Sequence, residues 1–401
     1  MRRFHIASDD EIKEGLTTDV YFVRTKRILE RYGLHQKKVV MEITVSSLPK
    51  GWEWGVLTGT LELARLLEGL NINLYCMKEG TVFKSEDDTG VRMPIAFIEG
   101  PYGEFCIYET PALGFLCQSS GISTAAARIR LRVWDKILLS FGARRMHPVI
   151  APMIDWACYV GGFDHVSTLA GANVIGEKPV GTMPHALIIV FGDQIKAWKA
   201  FDEVIEKEVP RIMLVDTFYD EKVESLMAAD SLKEKLFGVR LDTPSSRKGK
   251  MEEIIREVRW ELDIRGYKHV KIIVSGGVNE NNVVRYAKAG ADGFGIGTSV
   301  SNAPTVDFAA DIVQVEEKPV AKRGKLSGKK QVWRCDKCFY YKVDLFSYEE
   351  KKCPNCGEIM KPLLEKVIEK GKIVTQLPTA KEAREYVMQQ LTKVREIWGV
   401  S

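Results

Sequence analysis

The sequence has 401 residues, 45% of them hydrophobic, and its 58 basic and 54 acidic residues give a net charge of +4. This charge is too small to favour nucleic acid or an anionic membrane as the main partner. The first residues turn acidic without an apolar signal-peptide core, and no apolar run reaches the roughly 18 residues of a membrane-spanning helix. The sequence therefore predicts a cytoplasmic protein with one large domain and one or two smaller ones.

The amino-terminal region alternates extended and helical patterns. VVMEITV (39–45) is typical of a strand, and LELARLLEGL (61–70) has the apolar spacing of a helix. We therefore predict an α/β domain over residues 1–118.

Residues 119–315 contain short apolar runs separated by helical segments. The runs are ILLSFG, IMLVD, FGVRLD, VKIIVSGG and DGFGIGT. This alternation predicts a parallel α/β sheet or barrel that is covered by helices. Because ligands of such folds bind at the carboxyl ends of the strands, the residues that follow each run are the candidate site residues.

The segment 316–401 begins with a basic linker and ends in a helical pattern. Between them lie two C-X2-C pairs, which predict a structural tetrahedral Zn²⁺ site made by Cys335, Cys338, Cys353 and Cys356. The alternative is a ribbon that binds nucleic acid through neighbouring basic residues, namely Lys329, Lys330, Arg334, Lys337, Lys351 and Lys352. The other four cysteines lie among apolar neighbours, which indicates buried thiols.

Two glycine-rich turns follow successive predicted strands. SGGVNE contains Gly276 and Gly277, and GIGTS contains Gly297 and Thr298. Glycine lets backbone N–H groups approach a phosphate closely, so the pair predicts a phosphate cup. The alternative is two tight turns without a ligand.

Asp216 and Asp242 close the two preceding runs in similar contexts, VDT and LDT. Each could be the N-cap of the next helix. Together, and next to a phosphate cup, they are candidates for holding ribose hydroxyls or a divalent cation. Arg240 lies two residues before Asp242 and is expected on the same face of its strand.

Two further stretches carry candidate side chains. SFGARRMHP offers Phe141 for stacking on a planar ring and Arg144 for binding a carboxylate or phosphate; the alternative is a solvated basic loop. VGTMPHAL places His185 at the start of a predicted helix, where a surface or core role is the alternative to a functional one.

These motifs, in this order, resemble the nicotinate phosphoribosyltransferases of the archaeal type with a cysteine-bearing carboxyl-terminal extension. The resemblance extends over nearly the whole chain: TTDVYF, GISTAAARIR, SFGARRMHP, VGTMPH, VDTFYD, VRLDTPSSR, VSGGVNE and FGIGTS. It implies the type II phosphoribosyltransferase fold, with an N-terminal α/β domain and an irregular barrel of fewer than eight strands.

The resemblance also implies roles for individual residues. Tyr21 would come from a neighbouring subunit of a homo-oligomer and sandwich nicotinate against Phe141. Arg144 and Arg240, with Thr182 nearby, would hold the substrate carboxylate or a phosphate, and Asp216 and Asp242 would position ribose and metal. The cradle for the 5-phosphate would consist of Ser245, Gly276, Gly277, Gly297 and Thr298.

The implied reaction is a pentosyl transfer in NAD biosynthesis: nicotinate and phosphoribosyl pyrophosphate give nicotinate mononucleotide and pyrophosphate, with Mg²⁺. In relatives that couple turnover to ATP hydrolysis, a histidine at the place of His185 accepts a phosphate. Quinolinate phosphoribosyltransferase shares the architecture and is the first alternative. A non-catalytic zinc-ribbon protein that binds nucleic acid is the second.

Overall fold

The computed structural model describes residues 3–244, 246 and 249–398. The α-helices are α1 (Asp9–Lys13), α2 (Val20–Arg31), α3 (Thr60–Leu67), α4 (Tyr102–Phe105), α5 (Glu109–Arg132), α6 (Ala151–Val160), α7 (Leu169–Ile175), α8 (His185–Phe191), α9 (Gln194–Val204), α10 (Glu221–Leu232), α11 (Met251–Ile264), α12 (Val283–Ala289), α13 (Thr298–Ser301) and α14 (Ala380–Trp398). Short 3-10 helices span Cys106–Tyr108, Ala143–Arg145, Pro148–Ile150 and Lys233–Lys235.

The strands are β1 (Lys38–Ser47), β2 (Gly55–Val56), β3 (Asn73–Cys76), β4 (Val82–Phe83), β5 (Pro94–Pro101), β6 (Ile137–Ser140), β7 (His165–Val166), β8 (Arg211–Leu214), β9 (Leu236–Leu241), β10 (Lys271–Ser275), β11 (Gly293–Ile296), β12 (Asp307–Val315), β13 (Lys318–Pro319), β14 (Lys330–Arg334), β15 (Tyr341–Leu345), β16 (Lys351–Lys352), β17 (Ile359–Pro362), β18 (Glu365–Glu369) and β19 (Lys372–Ile373). No described helix is both long and apolar enough to cross a membrane.

The chain divides into two compact units. The first unit contains the residues up to Thr124 and those from Pro304 onward, and the second unit is Ala125–Ala303. The predicted domain boundaries after residues 118 and 315 remain predictions.

The first unit is built on a seven-stranded sheet in the order β13-β12-β1-β5-β3-β18-β19, with antiparallel neighbours. Residues 39–45 of β1 are all buried, as expected for a central strand rich in β-branched side chains. The unit also contains a four-stranded sheet, in the order β15-β14-β17-β16, and a two-stranded sheet of β2 and β4. Strands from the carboxyl-terminal segment thus complete the sheet that the amino-terminal segment begins.

The second unit contains a six-stranded sheet in the order β7-β6-β11-β10-β9-β8, and all neighbouring strands are parallel. Every residue of β8 and β11 is buried, which agrees with the continuous apolar runs of the sequence. Helix α11 buries Ile255, Val258 and Leu262, the helical spacing that the sequence predicts. The predicted fold class is confirmed. The strands end one or two residues before the predicted closing residues Asp216, Asp242, Gly277 and Thr298. The first three lie in loops at the sheet edge, and Thr298 is the first residue of α13.

Candidate active site

A cavity of about 740 Å³ lies at the carboxyl ends of the strands in the second unit. The register brings these ends together, since Ser275 of β10 pairs with Gly295 of β11 and Val274 pairs with Leu241 of β9. The lining includes most of the candidate residues: Phe141, Arg144, Thr182, Arg240, Asp242, Gly276, Gly277, Gly297 and Thr298. The parallel sheet explains why residues far apart in the sequence meet here.

Asp216 and Asp242 are joined by a hydrogen bond between the two loops. The backbone N–H of Asp242 donates to Oδ2 of Asp216 at 2.7 Å, while Oδ1 of Asp242 accepts from the hydroxyl of Ser275 at 2.9 Å. The side chain of Asp216 is only 4% exposed. Burial raises the pKa of Asp216 to about 7, and the charges of Asp242 and Glu221 add to this effect.

The N-cap alternative for Asp216 is wrong. The residue that caps α10 is Asp220, whose side chain accepts from the backbone N–H of Val223 at 2.9 Å. The helix after Asp242, α11, has Lys250 at its N-cap, so Asp242 is not a cap either. Neither aspartate is therefore used as a helix cap.

His185 is the first residue of α8 and lies beside both carboxylates. Its Nε2 is 3.7 Å from Oδ1 of Asp216 and 3.8 Å from Oδ2 of Asp242, while its Nδ1 is 3.0 Å from the hydroxyl of Thr217. The imidazole is 37% exposed. The structure therefore brings His185 to the two aspartates. The spacing of these residues in the sequence does not predict this contact.

Three buried polar atoms at this site have no hydrogen-bond partner among the described residues: Oγ1 of Thr182, Oδ1 of Asp216 and Nε of Arg240. Within the described part of the chain, the guanidinium of Arg240 donates once, from Nη2 to the carbonyl of Met183 at 3.2 Å. Burial lowers its pKa despite the nearby carboxylates. Unpaired buried polar atoms are costly in a folded protein unless a ligand or water satisfies them.

The turn after β10 has a backbone conformation that favours glycine. Gly276 and Gly277 have φ values of +84° and +68°, which side chains rarely adopt. A Cβ at Gly276 would lie 3.1 Å from Oδ1 of Asp242, whereas one at Gly277 would meet open space. A Cβ at Gly295 would overlap the ring of Phe141, so this glycine leaves room for the ring.

Four predicted site residues are not among those that line the cavity. Asp216 and His185 lie beside Asp242, which does line it. Tyr21 belongs to the first unit, where it lies on α2 and is 54% exposed. Ser245 lies outside the described residues. Their roles remain predictions.

Several residues at the site were not singled out by sequence reasoning. Arg145, Thr168 and Asn279 line the cavity. Thr217 contacts His185, and Glu224 accepts hydrogen bonds from the backbone of the loop after Asp216. Arg145 was visible as the second arginine of the GARR stretch, but Glu224 lies inside a helix and gives no local signal.

The four cysteines of the two C-X2-C pairs, which belong to the first unit, come together as predicted. Their sulfur atoms all lie within 4.8 Å of one another, and the distances from Cys335 to Cys356 and from Cys338 to Cys353 are 3.4 and 3.5 Å. Four sulfur ligands at this spacing fit the tetrahedral coordination of Zn²⁺. In the described part of the chain, they are the only group of three or more side chains that could hold a metal ion in this way.

Family models match three parts of the chain. The quinolinate phosphoribosyl transferase N-terminal and C-terminal domains match residues 19–120 and 122–311, and the nicotinate phosphoribosyltransferase C-terminal domain matches residues 341–397. A crystal structure described as nicotinate-nucleotide pyrophosphorylase from Pyrococcus furiosus is 56% identical, with a TM-score of 0.93 over 98% of this chain and 99% of that chain. The chain belongs to the type II phosphoribosyltransferase family. The predicted family is thus confirmed.

Curated relatives of this family member are more distant. Nicotinate phosphoribosyltransferase of Bacillus subtilis (strain 168) is 27% identical over 349 residues, which cover 77% of this chain and 68% of the relative. Nicotinate phosphoribosyltransferase pncB1 of Mycobacterium tuberculosis is also 27% identical, over 80% of this chain and 77% of the relative. The structure of human nicotinic acid phosphoribosyltransferase, 18% identical with a TM-score of 0.71 over 94% of each chain, shares the fold.

Proposed function

We propose that this protein is a nicotinate phosphoribosyltransferase, which joins nicotinate to phosphoribosyl pyrophosphate and releases pyrophosphate in the biosynthesis of NAD. The observation that carries the proposal is the set of three unpaired buried atoms on Thr182, Asp216 and Arg240 beside the cavity. Nε of Arg240 can donate to a phosphate oxygen. The hydroxyl of Thr182 and the carboxylate oxygen of Asp216 can accept from ribose hydroxyls. The names of the curated relatives support nicotinate as the acceptor.

The remaining lining residues provide for the other parts of the substrates. Phe141 offers an aromatic face for the pyridine ring, with Tyr21 of a second subunit as its partner in a homo-oligomer. Arg144 binds the carboxylate of nicotinate. The backbone at Gly276, Gly277 and Gly297, with Thr298, holds the 5-phosphate.

Catalysis by these residues depends on position and charge. As the bond from the ribose carbon to pyrophosphate breaks, positive charge develops on the ribose, and the carboxylates of Asp216 and Asp242 stabilise it. Arg240 lies close enough to both carboxylates for its positive charge to interact with them. No covalent nucleophile is required, because nicotinate itself attacks the ribose carbon.

Mg²⁺ fits this site as an ion that arrives with phosphoribosyl pyrophosphate. Oδ1 of Asp216 is buried and unpaired, and carboxylate oxygens are the donors that Mg²⁺ prefers. Mg²⁺ neutralises charge on the leaving pyrophosphate when it is bound. With two carboxylates at the site, Asp216 and Asp242 would supply only part of the coordination, and phosphate oxygens and water the rest.

Coupling to ATP through a phosphohistidine is a separate part of the proposal. The Nε2 atom of His185 faces the two carboxylates at 3.7 and 3.8 Å and makes no hydrogen bond to another described residue. It is therefore open to a ligand. Stimulation of turnover by ATP, with a phosphate that is stable to base but labile to acid on His185, would support the coupling; a rate that ATP does not change would exclude it.

We also propose that the four-cysteine site holds a structural Zn²⁺. All four positions would be occupied by sulfur, which leaves no open coordination site for catalysis. Metal analysis of the purified protein should give one zinc per chain, and removal of the metal by a chelator should lower the melting temperature. A metal-free protein with the same melting temperature would contradict this assignment.

The choice between nicotinate and quinolinate can be tested directly. The cations that line the described cavity are Arg144, Arg145 and Arg240, and Arg240 already lies next to two carboxylates. Arg144 and Arg145, which have no ion pair with another described residue, remain for an acid and for pyrophosphate, and this number favours a monocarboxylate. Pure protein with phosphoribosyl pyrophosphate and Mg²⁺ should consume nicotinate, whereas consumption of quinolinate with release of CO₂ would overturn the proposal.

Quinolinate phosphoribosyltransferase is the second candidate, because two domain models of that enzyme match most of the chain. The nucleic-acid-binding alternative has less support, since most basic residues near the cysteines are already paired with carboxylates. The pairs are Lys329 with Glu99, Lys330 with Glu42, Arg334 with Asp336, Lys337 with Glu358 and Lys351 with Asp344. They do not form a free basic surface of the kind that binds phosphate backbones.

A further inference from the structure

The loop that follows Asp216 is shaped by one buried carboxylate. Glu224 on α10 is 0% exposed, and its Oε2 accepts from the backbone N–H of Thr217 at 3.1 Å. Its Oε1 accepts from the N–H groups of Phe218 and Tyr219 at 2.7 and 2.9 Å. Three successive backbone donors are thus held by a single side chain, which fixes the position of Thr217.

The hydroxyl of Thr217 makes the only hydrogen bond of the His185 imidazole to another described residue, at 3.0 Å to Nδ1. The ring begins α8 after Pro184 and is 37% exposed, so packing alone does not hold it. With Nδ1 bonded to Thr217, Nε2 is directed at Oδ1 of Asp216 and Oδ2 of Asp242.

We propose that Thr217 is a positioning residue, which holds the imidazole of His185 so that Nε2 faces the two carboxylates. Its hydroxyl bonds to the imidazole and, among the described residues, to neither aspartate side chain, so it acts through His185. When Asp216 is charged, above about pH 7, two nearby carboxylates favour a hydrogen on Nε2, so in the neutral imidazole the Thr217 hydroxyl donates to Nδ1. A hydroxyl can also accept from Nδ1, and the contact therefore survives in the doubly protonated ring.

The position of Thr217 in the chain lets one loop place both Asp216 and the group that orients His185. It directly follows Asp216, so the loop that Glu224 holds fixes both a carboxylate and the group that orients the imidazole. Asp242 is tied to the same loop by its N–H bond to Asp216. The loop after β8 thus helps to position Asp216, Asp242 and His185.

The test compares Thr217→Val, which removes the hydroxyl at nearly constant volume, with Thr217→Ser, which retains it. Proteins labelled with ¹⁵N-histidine are observed by NMR, and His185 is assigned among the six histidines with a His185→Gln variant. We expect separate resonances for the protonated Nε2 and unprotonated Nδ1 in the wild type. In Thr217→Val these resonances should move toward each other as tautomers exchange, and Thr217→Ser should restore the wild-type pattern.

A matched control is Thr243→Val, since Thr243 follows Asp242 as Thr217 follows Asp216 but its hydroxyl donates to Glu221 at 2.9 Å. This variant should leave the His185 resonances unchanged.

If Thr217→Val shows the same His185 resonances as the wild type, the proposal is wrong. Should Thr217→Val not fold, Thr217→Ala removes the hydroxyl without a β-branched methyl group and replaces it in the experiment.

The kinetic part of the test rests on the proposed function. In Thr217→Val, kcat should fall about tenfold, the effect of one lost hydrogen bond, while KM for nicotinate stays within about twofold. Thr217→Ser should recover most of the loss. An inactive wild type with the expected resonance changes would refute the proposed function and leave the positioning role intact, whereas unchanged kcat and unchanged His185 resonances in Thr217→Val would together refute the positioning role.

Discussion

Two buried aspartates, Asp87 in the first unit and Asp216 in the second, show how the same side chain can serve structure or chemistry. Asp87 is 5% exposed and accepts four hydrogen bonds. They come from the N–H and hydroxyl of Thr89 and from the N–H groups of Val91 and Val343, at 2.7 to 2.9 Å. Burial alone would raise the pKa of Asp87, but these donors hold it below its usual value.

The side chain of Asp216 is also almost fully buried, but among the described residues it accepts only one hydrogen bond, from the N–H of Asp242. Its Oδ1 has no partner among the described residues, and burial raises its pKa to about 7. The comparison teaches that burial does not identify a functional carboxylate. The number of donors around it does, because a site that must bind a ligand leaves acceptors unsatisfied.

The strongest test of this contrast is Asp216→Asn. Its carbonyl oxygen can still accept the Asp242 N–H, but the charge that stabilises the ribose is lost, so kcat should fall on the order of a thousandfold. The melting temperature should stay within a few degrees, as for a change of about 1 kcal/mol. Steady-state kinetics and thermal unfolding measure the two effects. An unfolded variant would show that Asp216 is structural.

Asp87→Asn should behave in the opposite way. An amide would direct its NH₂ group at backbone donors that now bind oxygen, and the free energy of unfolding should fall by about 1–3 kcal/mol. Urea unfolding measures this loss, and kcat per folded molecule should not change. Full stability in Asp87→Asn would remove the distinction between the two aspartates.

The phosphate cup can be tested with a pair of glycines that share a backbone conformation. Gly277 at the cavity and Gly33 after α2 both have φ of +68°, and a Cβ at either would meet nothing within 4 Å. Alanine should therefore strain both positions equally, by about 1 kcal/mol. KM for phosphoribosyl pyrophosphate should rise about tenfold in Gly277→Ala only. Equal KM values in the two variants would argue against a phosphate at Gly277.

The raised pKa of Asp216 predicts a smaller effect on stability. Because its pKa in the folded state, about 7, exceeds the unfolded value near 4, the folded protein retains a proton that the unfolded chain has released. This contribution to the free energy of unfolding is present at low pH and is lost as pH rises toward 7, by about 1 kcal/mol over one pH unit. Denaturation of the wild type and Asp216→Asn at pH 5 and 6 should show a decline that is larger in the wild type by about 1 kcal/mol, because Glu62 and Glu109, whose pKa values burial also raises to about 7, are present in both proteins.

The sequence predicted those parts of the site that depend on local pattern. Apolar runs that end in VDT and LDT indicate parallel strands, and the parallel arrangement brings Asp216, Asp242 and the glycine loops to one edge. The contact between Thr217 and His185 could not be predicted, because it depends on how a loop and a distant helix start are oriented. Glu224 was equally hidden, since a glutamate within a helix usually faces solvent.

The fold of the first unit was less accessible from sequence than that of the second. In the second unit, each strand, loop and helix follows the previous one, so the chain order nearly defines the sheet. In the first unit, β1 pairs with β12 and β3 pairs with β18, from opposite ends of the chain. The local periodicity of a strand does not indicate which distant strand will pair with it.

The pairing of β3 with β18 has a consequence for the newborn chain. Cys76 lies opposite Glu365, so the ribosome must add almost all the intervening sequence before this sheet can close. At ordinary rates of translation, the edge of β3 that pairs with β18 remains unpaired for on the order of tens of seconds. Exposed strand edges recruit other chains, which makes this interval the period when the nascent polypeptide most needs protection from aggregation.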